Sequence, residues 1–305
     1  MAPVTRRAAR KAYTSLISTP PVLTTPEVLE LILVQTDMRT LLTSCQRVCR
    51  DWHNLITTSP SIQKSLFFTP IKEPEWGAGE KLLNPLLAEM FPTIFPAKGD
   101  PYKRDFHFSD CAMAKGPTSL DHFVQKDASW RKMLVQQPPL WEFGLFHIDS
   151  GRGGDNALCV VIPANSTKQK NGDEGLRMGR LFEILLFDSS IRIGMFESAR
   201  LYWSADEPID FHSREEPIKD AFHQMLGQVG LVLHTEQVIQ CGMGFGRSLS
   251  GVKTTEMEII QAYREHGLDV DFQAEEMKAR RRSGKKIRWL DIESDESDSE
   301  DLDES

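Results

Sequence analysis

The chain has 305 residues, 40% of them hydrophobic, and a formal charge of −8. That apolar content is ordinary for a folded protein, and the length suits one large domain or two modest ones. No run approaches the ~18 apolar residues of a membrane helix, and five cysteines scattered without a signal-peptide pattern exclude a disulfide scaffold and read as reduced thiols of the cytosol or nucleus.

Residues 1–21 carry Arg6, Arg7, Arg10 and Lys11, with no acid before Glu27. They read as a disordered basic arm rather than the mitochondrial transit peptide that shares this composition. Residues 22–68 are the most patterned part of the chain. Thr24 and Glu27 have capping-box spacing, and Pro26 sits in the first turn, where a missing N–H costs nothing. Val28, Leu29, Ile32 and Leu33 then give one apolar helical face. A second helix is expected to carry Leu41, Cys45, Val48, Trp52 and Leu55, which fall within an arc of about 80° at 100° per residue. Helices this short cannot bury such faces alone; they need each other, a third helix and a partner chain.

Residues 69–117 are rich in proline and glycine and read as a connector with one short helix near Leu82–Met90. Residues 118–270 alternate. Ser129–Gln136 reads as a helix stopped by Pro138-Pro139. Trp141–Ile148, Ala157–Ile162 and Val229–Cys241 have strand character, and a further strand falls within 192–203. Leu181–Phe187 is apolar throughout and stays undecided between strand and helix. Glu215–Gly227 and Thr255–His266 read as helices, the latter with a Thr255/Glu258 capping box and Gly267 as the residue just beyond it. No repeat has a fixed period. The expected fold class is α+β, a helical N-terminal module followed by a mixed α+β domain, with disordered ends.

Residues 271–305 form the second disordered end. Seven basic residues (Lys278, Arg280, Arg281, Arg282, Lys285, Lys286, Arg288) precede nine acidic ones in 291–305. Taking those nine from −8 leaves +1 for residues 1–290, so the acidity belongs to the tail. The basic cluster fits a nuclear import signal. Nucleic-acid binding is not expected, because the adjacent acids repel phosphate and no aromatics interleave the bases. Ser297, with Glu300 three residues on, suits an acid-directed kinase or simply a solvating tail.

Catalytic chemistry is sparse. Cys45, Cys49 and His53 lie four apart, but a structural zinc needs a fourth ligand, so core packing is the expectation and no metal or cofactor is assigned. Gly242-Met243-Gly244-Phe245-Gly246-Arg247 lacks phosphate-loop spacing, and Gly246-Arg247-Ser248-Leu249-Ser250 falls one glycine short of a nucleophile elbow. Asp149 and Asp155 bracket a glycine-rich segment that reads as a solvated loop. Asn165-Ser166-Thr167 is a glycosylation triplet without a secretory context. Trp141, Phe143, Tyr202, Trp203 and Phe245 are core residues by default, and partner anchors if exposed.

The residues of 22–68 resemble an F-box. Leu23 and Pro26 begin it, Glu27-Val28-Leu29 and Ile32-Leu33 follow, Leu41-Leu42 open the next helix, and Val48, Cys49, Arg50, Trp52 and Leu55-Ile56 continue it. The usual Leu-Pro pair is split here as Leu23-Thr24-Thr25-Pro26. Asn84-Pro85-Leu86-Leu87 with Phe91-Pro92, and Ser129–Leu134 with Pro138-Pro139, resemble shorter blocks of fungal F-box proteins. The resemblance implies a three-helix F-box over 22–68 that binds a Skp adaptor and, through it, a cullin, while residues 118–270 hold a protein target for ubiquitin transfer. It implies adaptor contacts at Leu23, Pro26, Leu29, Ile32, Leu33, Leu41, Leu42 and Trp52, with Cys45, Val48 and Leu55 as inner packing. Such a subunit is not itself an enzyme; no membrane partner is expected. Two other classes stay open, an adaptor-bound scaffold without cullin and an enzyme housed in 118–270.

Overall fold

A computed structural model describes residues 23, 25–71, 81–96, 105–151, 154–164, 175–187, 198–204, 209, 215–239, 250–268 and 288–290. The fold is mixed helix and sheet. The chain divides into two compact units, Met1–Thr69 and Pro70–Ser305.

The first unit is all helix among its described residues. Helix α1 (Pro26–Val34) starts on proline, with Thr25 as its N-cap. The Thr25 side chain makes no capping bond there, and Thr24 of the expected Thr24/Glu27 box lies outside the described residues. Helix α2 (Met38–Thr43) is closed by Asp37, whose carboxylate accepts from Thr40 N at 2.9 Å. The single long second helix expected from the 41–55 spacing is instead three pieces. After α2 comes a 3₁₀ turn (Cys45–Arg47), then Cys49 in an extended conformation, then α3 (Arg50–Thr58). The apolar steps of four and three survive the break by coincidence of length, but the helical arc does not. Ser59 caps α4 (Pro60–Ser65), accepting from Ile62 N at 3.2 Å. Among its described residues the unit therefore has four short α-helices where three were expected. Leu29, Leu33, Leu41, Cys45, Ile56, Ile62 and Leu66 make its core, and half-buried Leu23, Met38, Leu42, Trp52 and Leu55 pack against it. Phe67, just past the Leu66 C-cap of α4, holds a left-handed φ of 61°.

In the second unit a small ribbon pairs β1 (Leu82–Leu83) with β2 (Gln136–Gln137). Between them come α5 (Pro85–Met90), two 3₁₀ turns (Phe108–Asp110 and Ala112–Lys115), α6 (Pro117–Phe123) and α7 (Ser129–Lys132). Beyond lie β3 (Glu142–Gly151), β4 (Gly154–Pro163), α8 (Met178–Phe187), β5 (Ser198–Tyr202), α9 (Glu216–Val229), β6 (Val232–Ile239), α10 (Ser250–Glu265) and β7 (Arg288–Leu290). The sheet order is β5-β6-β3-β4-β7. β3 and β4 form an antiparallel hairpin, while β6 runs parallel to β3 with Gly144 opposite Val232.

One sheet face carries Phe146, Ile148, Ala157, Tyr202 and Val232, and packs on Ile218, Phe222, Met225, Leu226 and Val229 of α9. Alternate residues Phe143, Leu145, Leu201 and Leu233 point to the other face and are also buried. A run of aromatic contacts links Phe91, Phe108, Trp130 and Tyr263 to Phe182 of α8.

Four expectations change here. The helix expected over Ser129–Gln136 stops at Lys132, and Gln136 pairs in β2 instead. Residues 69–117 are not a mere connector: Leu87, Phe91, Ile94, Phe95, Phe106, Phe108, Cys111 and Met113 are all core. Asp149 and Asp155 belong to paired strands rather than a loop, because the β3–β4 register runs on to Gly151 opposite Gly154. Arg288–Leu290, placed by sequence in a disordered tail, add a strand to β4 at Ala157–Cys159. The glycine run 242–246, the glycosylation triplet, the 278–287 basic residues, Phe245, Ser297 and both chain ends lie outside the described residues.

Candidate protein-docking face

The first unit turns apolar side chains in two directions. Leu29 and Leu33 of α1 face its core and are 3% and 1% exposed. Val28, Leu31 and Ile32 occupy the neighbouring arc, at i, i+3 and i+4, and are 37%, 70% and 41% exposed. Val48, in the turn between the 3₁₀ segment and α3, is 60% exposed. A helix of nine residues normally spends its apolar content inward. Here the inward arc is already filled, and a second set of aliphatic side chains stands in solvent.

The fold divides the sequence-predicted contact residues. Ile32 and Pro26 are exposed on α1. Leu23, Leu42 and Trp52 are half-buried, each packed on the core with part of its surface open. Leu29, Leu33 and Leu41 are buried within the unit. Of the three residues assigned to inner packing, Cys45 is buried and Leu55 half-buried, but Val48 points outward. The break at Cys49 rotates Val48 off the arc it would have held on a continuous helix. Leu31 carried no assignment from the sequence, although it stands three residues after Val28, the spacing that places both on one face.

The surroundings are acidic and polar rather than reactive. Glu27 opens α1, and the Ser59 hydroxyl donates to Glu30. The Thr40 hydroxyl first, and its backbone N–H second, hold the Asp37 carboxyl below its usual range. Burial raises the Cys45 thiol, with the Asp37 charge adding to the effect, which disfavours the thiolate a nucleophile or metal ligand needs. Cys49 and His53 are exposed, and Cys45 is not beside them on one helix face; no group of three metal-binding side chains occurs among the described residues.

Among the described residues of the second unit one polar chain stands out. His147 lies 2.9 Å from Thr235 Oγ1 through Nδ1 and 3.1 Å from Asp149 Oδ1 through Nε2. This is an acid–imidazole–hydroxyl chain, but Thr235 is fully buried, so no substrate reaches its oxygen. Phe143, Tyr202 and Trp203 are core residues, and only Trp141 of the described aromatics considered as anchors is exposed. Among the described residues no helix is long and apolar enough to cross a membrane. What the arrangement at α1 can do chemically is bury aliphatic surface against another chain. Comparison with family models, with curated proteins and with solved structures finds no match.

Proposed function

We propose that the chain is a target-recognition subunit of an SCF-type cullin-RING ubiquitin ligase. In this reading the N-terminal unit is an F-box that docks a Skp adaptor and, through it, cullin, while the second unit holds a protein target. The observation that carries it is the outward aliphatic set Val28, Leu31, Ile32 and Val48 on a helical unit whose own core is complete without them. The chain makes and breaks no bonds itself. It raises the effective concentration of a target lysine beside the ubiquitin thioester, a proximity contribution to rate. Such a subunit works in the cytosol or nucleus, where the free thiols of Cys45, Cys49, Cys111 and Cys159 stay reduced.

The test is co-purification of Skp adaptor and cullin with Leu31→Asp plus Ile32→Asp. Both positions are open enough that the unit's core keeps its packing, which an unchanged melting curve verifies. Buried aliphatic anchors contribute ~2 kcal/mol or more each, so adaptor capture falls by more than tenfold. Undiminished capture by a folded double variant would refute the docking face. Adaptor retained without cullin would point instead to the scaffold role. Leu29→Ala with Leu41→Ala is the wrong probe, because both side chains hold the unit together.

A further inference from the structure

In the second unit, α10 and the segment from Ala112 to Asp121 face each other across an open cleft of about 890 Å³. Its inner wall is apolar: Met113, Ile259 and Ala262 are buried, and Leu120 and Ile260 half-buried. Met257 lines the same cleft and is 68% exposed. Asp121, Glu258 and Glu265 bring three carboxylates to the lining, against the single guanidinium of Arg264. Asp121 also stands 3.7 Å from His266 Nε2, and Glu265 accepts from Gln261 at 2.9 Å.

We propose that this cleft takes a basic amphipathic helix of a partner protein. Aliphatic side chains at i, i+3 and i+4 fill the groove, and lysine or arginine on the flanks meets the three carboxylates. The charge balance selects the occupant: an acidic helix would set like charges against the lining, and a neutral one would gain nothing from the net negative charge of three carboxylates against one guanidinium. Met257 suits the role because an unbranched thioether adapts to differing aliphatic side chains. As a target site for ubiquitin transfer the cleft rests on the function proposed above; as a peptide groove it stands alone.

The test titrates the full chain into two labelled peptides, both with leucines at i, i+3, i+4 and i+7, one with lysines elsewhere and the other with glutamates. The lysine peptide binds at least about tenfold tighter. Asp121→Lys with Glu258→Lys reverses that preference, and Met257→Ala weakens the lysine peptide by about fivefold. All three positions are exposed, so melting temperatures stay put. Equal affinity for the two peptides, no binding by either, or indifference to both sets of substitutions overturns the proposal. Leu31→Asp with Ile32→Asp leaves the titration unchanged, and the cleft variants leave adaptor capture unchanged, so either reading can fail without the other.

Discussion

Asn84 joins two parts of the second unit through one fully buried side chain. Its Oδ1 accepts from Leu86 N and Leu87 N, each at 3.1 Å, and so caps α5. Its Nδ2 donates to Leu134 O at 3.1 Å, and its backbone N–H donates to Val135 O at 3.0 Å. Asn84→Ala removes the first three bonds and keeps the fourth. Losing the cap costs ~1 kcal/mol. Leaving the Leu134 carbonyl without its donor in a dry interior adds ~1–3 kcal/mol. The sum, ~2–4 kcal/mol, moves the urea midpoint of the second unit down by roughly 1 M. Trp130 and Trp203 report that transition, since both indoles are buried and donate to Phe123 O and Ile94 O. A signal averaged over both compact units, far-UV or the emission of Trp52, would mix them. A midpoint within 0.2 M of the parent, roughly the effect of an ordinary surface change, would refute the three-bond reasoning.

Three further outcomes follow from the geometry. Asp37→Ala lowers the melting temperature of the first unit at neutral pH. Because its folded pKa is depressed, that contribution is present above the unfolded value and fades as pH falls through the folded one, so parent and variant melting temperatures converge in acid. Gly179→Ala in α8 puts a methyl 2.9 Å from Arg131 O, a backbone atom that cannot swing away, and destabilises by ~1–3 kcal/mol; Gly227→Ala on the open side of α9 meets nothing within 4 Å and stabilises by ~0.5–1 kcal/mol, both read by denaturant titration. Iodoacetamide at pH 8 alkylates exposed Cys49 in the native chain and spares Cys111, whose thiol burial pushes up to about 12; mass mapping that found Cys111 labelled as fast as Cys49 would contradict its burial.

The parts of the fold that were legible in the sequence are those whose pattern and environment agree. β3, β4 and β6 are short apolar runs between glycines or polar residues, and each forms near its expected position. Gly267, expected just beyond a helix, takes a φ of 64° there, with Leu268 N bonded back to Tyr263 O. α8 was undecidable because it is buried on nearly every side, which erases the period of 3.6. α10 begins at Ser250, ahead of the Thr255/Glu258 box, so a good local cap was outcompeted by propagation of an existing helix. On α1 the sequence put Val28, Leu29, Ile32 and Leu33 on one apolar face, and the structure splits that set, with Leu29 and Leu33 buried and Val28 and Ile32 exposed. It could not separate Leu29 from Val28 or Leu33 from Ile32, since neighbouring residues share one broad apolar arc and only the packing of α2, α3 and α4 decides which of them meets solvent.

The aromatic seam around α8 has a consequence for the order in which the protein takes shape on the ribosome. The core contacts of the N-terminal unit all lie before Thr69, so every residue that makes them is synthesised while most of the polypeptide is still unmade. Phe182, by contrast, stacks on Tyr263, and Arg131 bonds that same tyrosine hydroxyl at 2.9 Å across 132 positions of chain. Until α10 emerges from the exit tunnel, Trp130, Phe182 and their neighbours lack one wall. Translation pauses between about residues 190 and 260 would therefore prolong an interval in which a nascent chain shows sticky rings to chaperones or to its neighbours on the polysome.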